Sequence, residues 1–362
     1  MSHDHDGDCC GGHEHRENIR LMMARRVLFI IGSAALMVFL FLYSLTIGAA
    51  DISISEVYKA VVNRYLPDLF EVTDRVDMII WNLRMPRVMI ALLAGAVLGM
   101  AGCVTQAILK NPLATPYTLG VSAAAGFGAA VALIVGAGVL TGTLLVIGNA
   151  FLFAMIPAVV IILASRRRGV TPETLILCGV AMAYIFGASN TLLQFFAEDD
   201  ALRLSVFWLV GDLTRASMWQ VPYITGALFI FLAISMYYAK DMNIIKMGDD
   251  DAKGMGVDVE RVKLIMVVSA CLATATVICF TGAIGFICLL APHISRLFIG
   301  GDERYLIPAS GLFGACLLLS ADIIAKVALA PVLLPVGAIT ALLGGPMLIY
   351  LLLRRKRDCC GL

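Results

Sequence analysis

The first fifteen residues, MSHDHDGDCCGGHEH, hold four of the chain's five histidines and an adjacent cysteine pair. Imidazole and thiolate are the donors that Zn, Cu and Ni select. His3, His5, Cys9, Cys10, His13 and His15 are therefore candidate ligands. Their spacing matches no structural zinc motif, and the competing reading is a polar tail without metal. A second polar island, KMGDDDAKGMGVDVERVK, runs from Lys246 to Lys263. A third group is basic. Arg84 and Arg87 are three apart and share one helical face, and Lys326 has Asp322 four residues before it. The fifth histidine, His293, follows Pro292 in APHISR. A single imidazole in an apolar helix reads as a hydrogen-bonded structural group before it reads as a metal ligand. No HExxH, GxSxG or phosphate-cradling loop is present. An intramembrane enzyme using His293 and a nearby serine has no motif behind it. The chemistry expected is docking and transport, with no covalent step.

The elements that carry these residues are apolar. The chain has 362 residues, 60% hydrophobic and 15% charged, where a soluble domain is about a quarter charged. The apolar residues come in blocks long enough for helices that cross a bilayer, about 20 residues each. A transmembrane barrel would alternate polar and apolar residues instead. The fold expected is an all-α polytopic membrane protein. Ten spans are expected, at roughly 27–48, 83–107, 118–140, 144–165, 175–197, 222–240, 263–281, 283–299, 306–329 and 334–353. The seventh and eighth run together around FTGAIGF, so nine is the alternative. The organisation is a polar tail over 1–26, a transmembrane domain over 27–353 and a basic tail over 354–362. The leader is too long and too acidic for a cleaved signal peptide. Six of the ten cysteines lie inside apolar blocks and read as small buried hydrophobes.

Placing both termini in the cytoplasm puts most of the 27 basic residues on that side, including Arg166–Arg168 and RRKR at 354–357. That is the asymmetry of the positive-inside rule. The island at 246–263 then faces the cytoplasm, and the segments 49–80 and 198–220 face outward. Glycines within spans, such as Gly95 and Gly99, permit close helix packing. Pro112, Pro116, Pro292, Pro335 and Pro346 predict interrupted helices, tolerated at depth where protein or a water-filled path covers them.

Within the island, Gly248 and Asp249 open a short helix with Asp250 and Asp251 in its first turn. Gly256 stops it in the left-handed conformation, and Asp258 caps a second helix leading into the seventh span. An ordinary solvated loop is the competing reading.

NLRMPRVMIALLAGAVLGMAG, NPLATPYTLGVS, the island, GAIGFICLLAPHISRLFIGGDERYLIPASGLFGACLLLSADIIAKVAL and LPVGAITALLGGPMLIYLLL occur in this order. Together they resemble the FecCD-type permeases over about Asn82 to Arg355. These are membrane subunits of ABC importers for iron-siderophores, haem and cobalamin. The resemblance implies a type II importer fold, a second copy of the chain, two cytoplasmic ATPase subunits that bind ATP and Mg, and an extracytoplasmic binding protein. It also implies that 248–262 forms coupling helices, with Gly248, Asp250, Ala252, Met255, Gly256 and Val257 on the family pattern. Asp250 then stands for the usual Glu and Met255 for the usual Leu. Arg84, Arg87 and Lys326 fall where the family meets its binding protein, Lys326 replacing Arg; snorkelling to headgroups is the alternative. Leu333 stands where the family tends to have Glu. Asn111, Pro112, Leu113, Thr115, Pro116 and Gly120 are expected at an inner gate or turn, with Thr115 in place of Asp.

The function expected is the permease subunit of an ATP-driven importer in the cell membrane, carrying a metal chelate such as an iron-siderophore or cobalamin. The chain itself is expected to need no cofactor, and no nucleic acid is expected as a partner. An ion-coupled secondary transporter is the other class. It would want ionisable groups near mid-membrane, and Asp322, Lys326, His293 and Arg296 lie towards span ends.

Overall fold

The computed structural model describes residues 9–48, 50, 52–66, 69–168 and 170–358. In chain order the helices are α1 (Cys9–Thr46), α2 (Ile54–Asn63), α3 (Asp74–Met78), α4 (Met85–Ile108), α5 (Val121–Ala130), α6 (Thr143–Arg168), α7 (Pro172–Phe195), α8 (Asp199–Leu209), α9 (Val221–Tyr237), α10 (Ala239–Met247), α11 (Asp249–Gly254), α12 (Val259–Thr281), α13 (Ile287–Ile299), α14 (Glu303–Val327) and α15 (Val336–Asp358). Seven helices are long and apolar enough to cross a bilayer, and three shorter apolar ones are Val121–Val135, Ile287–Ile299 and Val336–Tyr350. Together they occupy the ten segments expected.

The seventh and eighth segments are separate helices. Gly282 has φ +71° and Phe286 has φ +67°, and that pair of left-handed residues turns the chain between α12 and α13. Several boundaries move. The second span begins at Asp74 rather than about residue 83, because α3 runs into α4 through a widened turn at Ile79–Arg84. Pro86 lies in the first turn of α4. Its missing N–H relieves the regular ladder there, a common cause of such a bulge. The third span stops at Val135, where Gly136 takes φ +69°. Helix α1 starts at Cys9 and passes without a break through the expected tail boundary. The segments 49–80 and 198–220 contain α2 and α8, amphipathic helices too short for the span pattern to reveal.

The core is α4 against α14. A Cβ on Gly95 would stand 2.5 Å from the Gly314 carbonyl oxygen, and one on Gly99 or Gly102 would overlap the carbonyl oxygen of Ser310 or Cys288. In lipid, helices associate through such close packing because no hydrophobic drive separates them from the acyl chains. Gly95 and Gly99 thus form an internal seam. Irregular backbone meets at a second glycine cluster. The Asp212 amide donates to the Thr281 carbonyl at 2.8 Å, and the Gly337 amide to the Gly211 carbonyl at 3.2 Å. These bonds satisfy backbone groups that the bilayer cannot.

Gly102→Ala and Gly314→Ala are expected to lower the melting temperature in detergent, at about 1–3 kcal/mol each for overpacking. Gly32→Ala in α1, with open space around the added carbon, should leave it unchanged or raise it slightly.

Candidate functional site

The polar island folds as two capped helices. Gly248 is the N-cap of α11, and three aspartates fill its first turn. There they meet the partial positive charge of the helix start. Gly256 has φ +85°. Its amide donates to the Lys253 carbonyl, and the Val257 amide reaches back to the Ala252 carbonyl, both at 3.0 Å. This is the paired closure that a left-handed glycine allows. Asp258 caps α12 by accepting from the Arg261 amide at 3.1 Å. Ala252 is fully buried, whereas Met247 and Met255 are 70% and 60% exposed. The island is a rigid corner that presents two methionines.

Two ionic fasteners hold the corner. Asp249 accepts from Lys110 at 2.9 Å and from the buried Lys263. Burial pushes the Asp249 carboxyl up, but the hydrogen bonds and charges of Lys263 and Lys110 outweigh it and hold its pKa below the ordinary carboxylate value. On the other side, Lys246 pairs with the buried Glu303 and donates to the Gly301 carbonyl at 2.8 Å. Asn243 bonds Asp302 at 2.8 Å and accepts from the Glu303 amide. Hydrogen bonds from Arg304 and Asn243 bring the Asp302 carboxyl down to about 2 despite partial burial.

The NPLATP turn lies beside this corner. The Asn111 side chain accepts from the Leu113 amide at 2.9 Å, and the Ala114 amide closes onto the Asn111 carbonyl at 3.1 Å, around Pro112. Thr115 and Thr118 cap each other at the start of the short turn Pro116–Leu119. Gly120, at φ +86°, passes the chain into α5. The Tyr117 hydroxyl donates to the Ile284 carbonyl at 2.7 Å, tying the turn to the break before α13.

At the other end of α4, about 36 Å away at 1.5 Å per residue, lies the cation cluster. Arg84 donates to the carbonyls of Leu45, Thr46 and Ala50, closing the end of α1. Asp322 bridges Arg87 and Lys326, at 2.7 Å to each, and Lys326 also donates to Ser44 at 2.9 Å. The three cations do not snorkel outward; all are buried. They line one cavity of about 280 Å³, with Leu333 on its wall. Arg87 keeps one guanidinium nitrogen, Nη2, without a hydrogen-bond partner. A larger cavity of about 670 Å³, walled by apolar side chains of α6, α9 and α12, touches none of these groups.

The model of the FecCD transport family matches residues 36–354. An ABC transporter permease protein of Methanocaldococcus jannaschii is 42% identical over 351 residues, 93% of this chain and 97% of that protein. The chain belongs to the FecCD transport family. It is also 36% identical to a cobalamin import system permease protein of Halobacterium salinarum, over 80% of this chain and 77% of the relative. It is 32% identical to a hemin transport system permease protein of Yersinia pestis, over 90% and 95%. A solved metal-chelate type ABC transporter in an inward-facing conformation superposes with a TM-score of 0.77 at 26% identity, covering 90% of this chain and 98% of that one.

Within this FecCD-family permease, the structure brings the expected residues together in three places. Gly248, Ala252, Met255, Gly256 and Val257 form the corner; Asn111 to Gly120 form the turn beside it; Arg84, Arg87 and Lys326 share a cavity. Asp250 is exposed and makes no ion pair among the described residues. The acidic residue that anchors the corner is its neighbour Asp249. Sequence reasoning missed Asp249, Lys110, Lys263, Lys246 and Glu303 as a set. Their signal was charge near span ends, which by itself matches solvated loop residues. His3 and His5 lie outside the described residues, as do the side chains of Cys9, Cys10, His13 and His15. His293 sits half-buried in α13, and no group of three or more candidate metal ligands occurs among the described residues.

Asp322→Ala leaves two buried cations without their carboxylate. Breaking a buried pair from one side costs about 3–5 kcal/mol, so a large fall in detergent melting temperature is expected. Asp250→Asn should leave it unchanged.

Proposed function

We propose that this protein is the membrane-spanning subunit of an ATP-driven importer for a metal chelate of the cobalamin, haem or iron-siderophore class. It works as two copies, with two ATPase subunits that bind ATP and Mg in the cytoplasm and a binding protein outside. The observation that carries the reading is the corner at Met247–Asp258. A polar, doubly fastened helix pair displaying Met247 and Met255 suits a rigid contact with a soluble partner, and soft methionine side chains adapt to such a groove. The distribution of Lys and Arg supports a cytoplasmic corner and cytoplasmic termini. Gly248, Met255, Gly256 and Val257 then form the ATPase contact, with Asp250 on its exposed face and the buried Ala252 seating α11 from beneath.

The cation cavity belongs on the outer side in this orientation. Arg84, Arg87 and Lys326 with Asp322 give it a positive balance, and the unpartnered Arg87 nitrogen suits an incoming carboxylate of the binding protein. Leu333 makes that wall apolar where relatives tend to carry an acid. Asn111, Pro112, Leu113, Thr115, Pro116 and Gly120 form the inner gate in this reading.

Affinity purification of the tagged protein from mild-detergent membranes of its host is expected to bring down an ATPase subunit in one-to-one ratio. Gly256→Val forces a β-branched residue to φ +85°, and it should abolish that association. Met255→Glu should weaken it about tenfold, the loss of about 1.4 kcal/mol of binding. Recovery of the protein alone, with uptake that follows the membrane potential and ignores ATP, would replace this reading with a secondary transporter.

A further inference from the structure

Two observations made independently of each other converge on one carboxylate. Lys110 follows the end of α4 with φ +48°, in the left-handed region where glycine is the usual choice. A long cationic side chain held in that conformation calls for a reason. Its ammonium reaches Asp249 at 2.9 Å. Lys263, near the start of α12, has a side chain with no exposed surface, and it pairs with the other oxygen of the same Asp249. A buried ammonium needs a carboxylate. Asp249 opens α11, and Lys110 immediately precedes Asn111 of the NPLATP turn.

We propose that the Lys110–Asp249 contact is the link that passes movement of the α11 corner to the NPLATP turn, with Lys263 holding Asp249 in position. This rests on the importer reading above and assigns the transmission within it. The pair is about one-third exposed on each side, and ion pairs of that kind add little stability. Structural need alone therefore does not explain a lysine at a glycine position. The geometry has the form a transmission requires. The corner is tied to α12 through Lys263, to α14 through Lys246–Glu303, and to the turn through Lys110. The turn has its own onward tie, Tyr117 to the Ile284 carbonyl. A displacement of α11 thus reaches the start of the turn directly through this ionic contact, beside the packing of α12 against Pro116–Leu119. Lys110 is a positioning residue in this scheme and touches no transported molecule.

The test is hydrogen–deuterium exchange on the complete complex in nanodiscs, with and without ATP and vanadate. Lys110→Gly removes the ammonium and suits the left-handed backbone; Lys110→Gln removes the charge and keeps the side-chain length. In the unaltered complex, trapping should change exchange both at 247–257 and at 111–120. In both variants the change at 247–257 should persist, and the change at 111–120 should shrink at least fivefold. Lys110→Gly should keep or raise the melting temperature, which a merely structural role would lower. A full change at 111–120 in both variants overturns the link and leaves the importer reading standing. No change at 247–257 in the unaltered complex overturns the importer reading and the link with it.

Discussion

The structure depends on the close approach of α4 and α14. Without a hydrophobic drive between helices in lipid, the approach has to come from backbone contact, and backbone contact needs residues without a Cβ. Gly95, Gly99 and Gly314 supply it, and Gly102 does the same for α4 against α13. With α4 locked in the middle of the protein, its two ends are fixed in space. One carries Arg84 and Arg87. The other carries Lys110 and the NPLATP turn. The central helix thus links the cation cluster at one end to the turn at the other.

Charge is then rationed. Among the described residues, buried ionic side chains pair with each other or with backbone carbonyls: Arg87 and Lys326 with Asp322, Lys263 with Asp249, Lys246 with Glu303, Arg84 with the end of α1. Burying an ion is tolerated only on such terms. These pairs lie towards helix ends, and most of them join different helices, Asp322 and Lys326 being one turn apart in α14. They act as fasteners between elements whose apolar faces alone would slide. The exception is the unpartnered nitrogen of Arg87 in its cavity.

The α13–α14 turn gathers several of these ties. Arg25 and Arg26 of α1 donate to the carbonyls of Leu297 and Ile299 at the end of α13. Asn243 and Lys246 of α10 reach Asp302, Gly301 and Glu303 from the other side. The capped corner, the turn at 299–303 and Arg25 and Arg26 of α1 are therefore linked by polar contacts at one end of the apolar bundle.

The sequence by itself determined the class, outlined ten segments with nine as the alternative, and offered the capped corner beside a solvated loop. Runs of apolar residues have one physical use at this length, and Gly248, Gly256 and Asp258 act through local backbone rules that need no distant partner. The ordered motifs also determined the family, because their joint occurrence is far more specific than any one of them. Span ends were legible only roughly, since Gly136 and the widened turn before Pro86 act against the apolar pattern rather than through it. The tertiary structure alone decided which charges matter. Arg84 and Arg87 read as surface cations until Asp322 and the α1 carbonyls were placed beside them, whereas Asp322 was visible from the start one turn before Lys326. Asp249 and Asp250 are equivalent as letters, and only packing against Lys110 and Lys263 separates them. The pairs Asp249–Lys263 and Asp322–Arg87 bring together residues 14 and 235 apart, and no local pattern in the sequence encodes those distances.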